Sequence, residues 1–262
     1  MASALRAIVL AAGKGTRMNS ARPKVLHEAA GRPILDYVLD LCEDLGTETV
    51  VVVGHQADAV RAACAKRPRL EFAIQEPQLG TGHAVQIALG SMPKDDASIL
   101  VLAGDVPLLR AETLRGLSAL RRDSGAAAAL VSFRTPTPAA YGRILRDSVG
   151  AVKGIVEAKD ATAEQLRIDE VNASLYVFDG VKLRSTIQNL RSNNAQGEFY
   201  LTDVIALMAE ASERIEALVA SDPMEASGVN TPVELSDIER ELYSRRARAL
   251  LASGVLDRKS VV

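Results

Sequence analysis

Short apolar runs closed by glycine or polar residues punctuate the first part of the chain: Ala7–Leu10, Val50–Val53, Leu70–Ile74 and Ile99–Leu102. The run Val50-Val51-Val52-Val53 is continuous and β-branched, the pattern of a strand covered on both faces in a parallel sheet. Between the runs the apolar positions switch to helical spacing. Pro33 opens a helix carrying Ile34, Val38 and Leu41 that ends at Gly46. Gln56 to Lys66 predicts a second helix, stopping before Pro68, and Thr81 to Leu89 a third. Strands alternating with helices imply right-handed βαβ units and a doubly wound parallel sheet of the α/β class. Ligands of such sheets sit outside the carboxyl ends of the strands.

Beyond Pro107 the pattern loosens. Ala126–Phe133 and Val171–Phe178 predict strands, and Tyr141–Arg146 with Ala151–Glu157 predicts a hairpin or meander. A helix is expected over Val181–Leu190, then a polar loop at Asn193–Gly197, a helix from near Thr202, a short strand at Ile215–Val219 and a loop ending at Gly228-Val229-Asn230. No clean linker or tandem repeat separates these elements from the first half, so they read as an insertion completing one site. The last helix, Pro232 to Ala252, places Glu234, Asp237, Glu239 and Glu241 first and Arg245, Arg246 and Arg248 last. That order complements the helix macrodipole, worth ~0.3–1 kcal/mol per well-placed charge. Leu235, Ile238 and Leu242 form its apolar stripe. One domain over 1–231, followed by a helix and short tail over 232–262, is the expected organisation.

Composition narrows the function classes. The 262 residues are nearly half apolar and carry a formal net charge of −2. With no overall basic field, general nucleic-acid affinity is not expected, and any anion must be bound by local placement. No apolar run is long enough to span a bilayer, and the residues ahead of the first strand lack signal-peptide architecture, so a cytoplasmic protein without membrane partners is expected. Cys42 and Cys64 form no C-x-x-C and sit in apolar helical patterns, which predicts buried, reduced thiols.

The candidate chemistry lies where the strands end. The first strand empties into Leu10-Ala11-Ala12-Gly13-Lys14-Gly15-Thr16-Arg17-Met18, with Arg22-Pro23-Lys24 close behind. Gly13 and Gly15 permit positive φ and close approach of backbone N–H groups to an anion, and Lys14, Arg17 and Lys24 add cationic charge. The spacing matches neither G-x-x-x-x-G-K-[ST] nor G-x-G-x-x-G. The loop is a triphosphate cradle or a glycine-rich turn carrying solvated cations. Asp105, in Ala103-Gly104-Asp105, is a Mg²⁺ ligand or a turn residue ahead of Pro107. Gln75 opens a loop containing Gly80 and Thr81; its amide suits a base edge that offers both a donor and an acceptor, as uracil does, and Thr81 is a candidate helix cap. His83 fits a packed or capping role better than a general base. Glu157, Asn172 and Asn230, at strand ends and edges, suit either sugar recognition or turns, and Tyr200 and Thr202 are further candidates for the same cavity.

Taken in order, these motifs resemble the uridylyltransferase domain of the bacterial N-acetylglucosamine-1-phosphate uridylyltransferases, within the sugar nucleotidyltransferase superfamily. The resemblance runs from Leu10 to about Val255. It rests on the opening loop, Pro23-Lys24-Val25-Leu26-His27, Gln78-Leu79-Gly80-Thr81-Gly82-His83-Ala84, Gly104-Asp105-Val106-Pro107-Leu108, Ile155–Ala161, Asn193–Glu198 and Gly228-Val229-Asn230. It implies a Rossmann-like mixed, mostly parallel sheet with helices on both faces. It further implies that Leu10, Ala11, Ala12, Gly13 and Gly104 line the nucleotide, that Gln75, Gly80 and Thr81 select uracil, and that Arg17 and Lys24 bind phosphates. Asp105 and Asn230 would hold Mg²⁺, and Ala103, Gly142, Glu157 and Asn172 would face the sugar. The implied substrates are UTP and N-acetylglucosamine 1-phosphate, joined with release of pyrophosphate.

The departures from the family pattern cluster on the acceptor side. Ala103 stands where the family has tyrosine, Asn172-Ala173-Ser174 where it has Asn-Thr-Gly, and Ala140 where it has glycine. Another hexose or hexosamine 1-phosphate, or a dTTP or CTP donor, is the alternative, with a non-catalytic nucleotide-sugar sensor as a third. Members often continue into a hexapeptide-repeat β-helix that acetylates glucosamine 1-phosphate and forms a trimer. Leu256–Val262 shows no such repeat, so the sequence assigns no acetyltransferase activity and leaves the oligomeric state open.

Overall fold

The computed structural model describes residues 4–255. The chain begins with β1 (Leu5–Leu10) and, after two short 3-10 turns, forms a two-residue hairpin of β2 (Glu28–Ala29) and β3 (Arg32–Pro33). There follow α1 (Ile34–Asp44), β4 (Glu48–Val53), α2 (Ala57–Ala63), β5 (Leu70–Ile74), α3 (Thr81–Ser91), β6 (Ser98–Ala103) and α4 (Ala111–Ser124). The second half comprises β7 (Ala128–Arg134), β8 (Arg143–Arg146), β9 (Val152–Val156), β10 (Glu170–Asp179), α5 (Gly180–Thr186), α6 (Thr202–Glu210), β11 (Ile215–Val219) and α7 (Pro232–Ala252).

The main sheet runs β11-β7-β10-β6-β1-β4-β5. Strand β1 is parallel to both β4 and β6, β4 to β5, and β7 to β11, whereas β10 is antiparallel to both β6 and β7. The β8–β9 hairpin attaches to β10. The mixed, mostly parallel α/β sheet is therefore as expected. Insertion of β10 between β6 and β7 makes both halves of the chain share one core.

Successive strand residues point to opposite faces, which explains the uninterrupted apolar runs. Ile8, Val50, Val52, Ile99 and Val101 pack on one side with residues of α3 and α6; Ala7, Val9, Val51, Val53, Leu100 and Leu102 pack on the other with residues of α1, α2 and α4. A smaller cluster of Met18, Ala29, Ile34, Leu108, Val229 and Ile238 fastens α7 to the loop side of the sheet. Ile238 is the one fully buried side chain of α7, contributing about 1.5–3 kcal/mol.

Several elements differ from expectation. Helix α4 is absent from the sequence prediction because only Leu114 and Leu117 are buried on it; Arg, Asp and Ser fill half of the rest. Gly125, at φ 65°, terminates it. Helix α2 is shorter than its pattern, and the helix expected over Val181–Leu190 tightens to a 3-10 turn at Ile187–Asn189. Strand β10 has an irregular register against β7 between Asn172 and Tyr176, and Ser174 there adopts φ 56°. Cys42 and Cys64 are free and buried, and burial pushes their thiols up to about 12 and about 11, so both stay protonated near neutral pH. Among the described residues, no helix is long and apolar enough to cross a membrane. The predicted tail beyond Val255 lies outside the described residues.

Candidate active site

The carboxyl ends of β1, β5 and β6 open onto a cleft of about 490 Å³. It is lined by Leu10, Ala11, Ala12 and Gly13 from the loop after β1, Gln75, Gly80 and Thr81 from the β5–α3 connection, and Ala103 and Asp105 after β6, with Lys14 and Lys24. Gln78, Ser174 and Glu198 also face it, beyond the predicted set. Gly104 lies beneath: its N–H donates to the Leu10 carbonyl at 2.9 Å, and an added Cβ would stand 3.1 Å from that oxygen.

Backbone geometry explains the opening loop. The Ala11 N–H donates to Val52 O at 2.8 Å, extending the β1–β4 ladder past the strand end. Gly15 then turns at φ 60°, and a Cβ there would lie 2.7 Å from the Lys24 Cβ, so the turn and the lysine share space that only glycine leaves free. Gly80 adopts φ 106° with the backbone of Phe199 pressed against it, at 2.6 Å from a hypothetical Cβ.

Four side chains meet at the mouth of the cleft. Lys24 Nζ donates to the Asp105 carboxylate and, at 3.2 Å, to Asn230 Oδ1, while Arg17 Nη2 donates to the same Asn230 oxygen at 3.0 Å. The Val229 N–H bonds the Asp105 carbonyl at 2.9 Å, tying the two segments together. Glu234, in the capping box that starts α7, accepts from the Asn230 and Thr231 N–H groups at 2.7 and 2.9 Å. A carboxylate oxygen and an amide oxygen thus converge on a single position held by an ammonium cation. Two hard oxygen donors beside a glycine loop are a donor set that would fit a divalent cation. Among the described residues there is no cluster of three His, Cys, Asp or Glu side chains that could hold a metal.

The predicted sugar residues form a second group on the antiparallel half. Thr202 Oγ1 donates to Glu157 Oε1 at 3.1 Å, and an added Cβ on Gly142 would approach both Glu157 oxygens to 3.5 Å. Burial raises the Glu157 carboxyl above its ordinary value, and the Thr202 hydrogen bond opposes that rise. Asn172 is buried; its N–H donates to Gly142 O at 2.8 Å, its Nδ2 to the Tyr176 hydroxyl at 2.6 Å, and its Oδ1 accepts from Ser174 N at 3.1 Å. Tyr200 is a buried aromatic whose hydroxyl accepts from Gln196 Nε2 at 2.8 Å. Gly142, Glu157 and Asn172 do not line the 490 Å³ cleft itself.

Two local expectations are corrected. Thr81 does not cap α3, whose cap position is Gly80; its hydroxyl instead accepts the Leu201 N–H at 3.0 Å, joining the base-side loop to α6. Nor does the Gln75 amide offer the cleft both a donor and an acceptor, because Nε2 is engaged by Gly80 O at 2.8 Å and lies 3.3 Å from His83 Nδ1.

Residues 7–170 match the family described as the MobA-like NTP transferase domain. The chain belongs to this family. As a MobA-like NTP transferase domain, it is a nucleotidyltransferase. Similar proteins include the Bifunctional protein GlmU of Alkalilimnicola ehrlichii, 49% identical over 97% of this chain and 54% of the relative. Those of Halorhodospira halophila and Thermobifida fusca are 48% and 44% identical, over 97% and 95% of this chain and 53% and 52% of the relatives. The chain thus spans about half the length of the curated relatives it matches.

Proposed function

We propose that this NTP transferase domain transfers a uridylyl group from UTP to N-acetylglucosamine 1-phosphate, giving UDP-N-acetylglucosamine and pyrophosphate. The observation that carries the reading is the meeting of Asp105, Asn230, Lys24 and Arg17 at the mouth of the cleft that Gln75 and the glycine loop line. The likeness to proteins named GlmU supports the choice of substrates.

In this reading the backbone from Ala11 to Gly13 cradles the triphosphate and the Gln75 loop receives the base. Asp105 and Asn230 hold Mg²⁺, which when bound neutralises charge on the phosphate oxygens. Gly142, Glu157 and Asn172 contact the sugar, with Thr202 orienting the carboxylate. A phosphate oxygen of the sugar 1-phosphate attacks the α-phosphorus; the bond from that phosphorus to the bridging oxygen breaks, and pyrophosphate departs with the electron pair. The nucleophile is already anionic near neutral pH, so no general base is needed. Arg17 and Lys24 contribute by positioning the phosphates in line and stabilising the charge that builds on them. With an ion held by Asp105 and Asn230, Lys24, which contacts both in this structure, would be free to bind substrate phosphate.

Ala103 favours a second reading of the acceptor. With no aromatic ring at this cleft position, another hexose or hexosamine 1-phosphate could fit. Pyrophosphate release measured over a matrix of nucleoside triphosphates and sugar 1-phosphates with Mg²⁺ decides between them. Highest turnover is expected for UTP with N-acetylglucosamine 1-phosphate. A different best pair replaces the substrate assignment, and UTP binding without release from any pair indicates a sensor.

A further inference from the structure

Gln75 is only 4% exposed, and the two ends of its amide are not held alike. Its Nε2 faces the Gly80 carbonyl at 2.8 Å and His83 Nδ1 at 3.3 Å, and no hydrogen bond among the described residues engages its Oε1. A backbone carbonyl can only accept, so the atom facing Gly80 must be the NH₂ group. The second hydrogen of that group points to His83, which accepts it when the ring carries its own proton on Nε2. Turning the amide over would set Oε1 against the Gly80 carbonyl and, in that same tautomer, against His83 Nδ1. Gln75 therefore shows the cleft an acceptor and withholds its donors.

That asymmetry discriminates between pyrimidines. Uracil and thymine carry a hydrogen on N3 and can donate to Oε1. Cytosine has a lone pair at N3, which would face Oε1 acceptor to acceptor. A site that offers a hydrogen bond to one base and leaves a buried group unpaired against the other discriminates strongly.

We propose that His83 is a positioning residue that sets base specificity, by locking the Gln75 amide in the orientation that admits a pyrimidine with N3–H and rejects cytosine. The proposal rests on reading the cleft as a uridine-nucleotide site and names the residue that enforces that choice. The ring is itself held in place. Phe199 packs on it at 6.5 Å between centroids, and the Gly82 N–H donates to Phe199 O at 2.7 Å, fixing the first turn of α3 where His83 stands. Because thymine also carries N3–H, the lock separates UTP from CTP and leaves the ribose to other contacts.

The test is the ratio of UTP to CTP dissociation constants, measured by calorimetry with Mg²⁺ on the same preparation, so that any inactive fraction cancels. Wild-type protein is expected to prefer UTP. His83→Phe keeps a ring but removes the acceptor, and is expected to reduce that preference about three- to tenfold, the worth of one hydrogen bond. His83→Asn places an amide oxygen near the position of Nδ1 and is expected to retain the preference. His83→Leu replaces the Phe variant if the latter does not fold. An unchanged ratio in the variants lacking an acceptor overturns the proposal, as does an equal loss in His83→Asn, which would assign the effect to packing. Wild-type protein that binds CTP as well as UTP overturns the uridine reading itself, a result separate from either.

Discussion

In the proposed reading, the donor and acceptor sides of this site are built by different means. On the donor side, backbone groups at the ends of parallel strands do most of the shaping: Ala11–Gly13, Gly80, and Gly104 packed under Leu10. Few side chains are added, and each sits within a short motif. On the acceptor side the work falls to side chains on β10, the β8–β9 hairpin and α6. Glu157 depends on Thr202, and Asn172 on Gly142 and Tyr176. Loops after parallel strands cluster on one edge of the sheet by topology. Antiparallel arms have no such common edge, so their residues meet only through long-range packing. The donor side is thus generic to the fold in this reading, and the acceptor side, where Ala140, Ala173 and Ser174 depart from the pattern the chain resembles, is where it can diverge.

The sharpest way to break the comparison is the residue that serves both sides. Asp105→Ala is expected to lower kcat by about 10²–10³ at saturating Mg²⁺, by analogy with loss of one transition-state charge stabiliser. Turnover near wild type would remove Asp105 from the mechanism. Next is Gly80→Ala. The φ of 106° and the Phe199 carbonyl 2.6 Å from the new Cβ make it both strained and crowded. At ~1–3 kcal/mol, the UTP KM should rise about ten- to a hundredfold with little change in the sugar-phosphate KM. Parallel rises in both would show that the two sides are one unit. Glu157→Gln is expected to do the converse, raising the sugar-phosphate KM about tenfold while leaving that for UTP in place.

The smallest effect is in pH. Burial raises the folded-state value of Glu157 above its unfolded one, so the protonated form is the one the fold favours. Its contribution to stability is complete below the ordinary carboxyl range and is lost as pH rises through the raised value. Sugar recognition by the carboxylate gains in that same window. The wild-type sugar-phosphate KM should therefore fall with rising pH there, and Glu157→Gln should lack that limb. Ionisation of the substrate phosphate, near pH 6, affects both proteins and cancels in their ratio.

The parallel half of the fold was legible because its signals are local: apolar runs for β1, β4, β5 and β6, and glycines with cations directly after β1. Helix α4 escaped because so little of it is buried that its periodicity is faint. Gln75 could be singled out as a base reader, but not the direction of its amide, which Gly80 and His83 decide. Thr81 showed its residue type but not its partner, since Leu201 lies 120 positions away.

By itself, then, the sequence determined where the strands end and which residue types stand there, because periodicity and turn chemistry act over a few residues. Only the tertiary structure decided which oxygens share one cation. Lys24 is 81 positions from Asp105 and 206 from Asn230, and no local pattern encodes their meeting. That meeting follows from β6 pairing beside β1 and from α7 closing over Ile34 and Leu108 through Ile238. Burial of those apolar surfaces carries polar groups from distant segments to the same edge of the sheet.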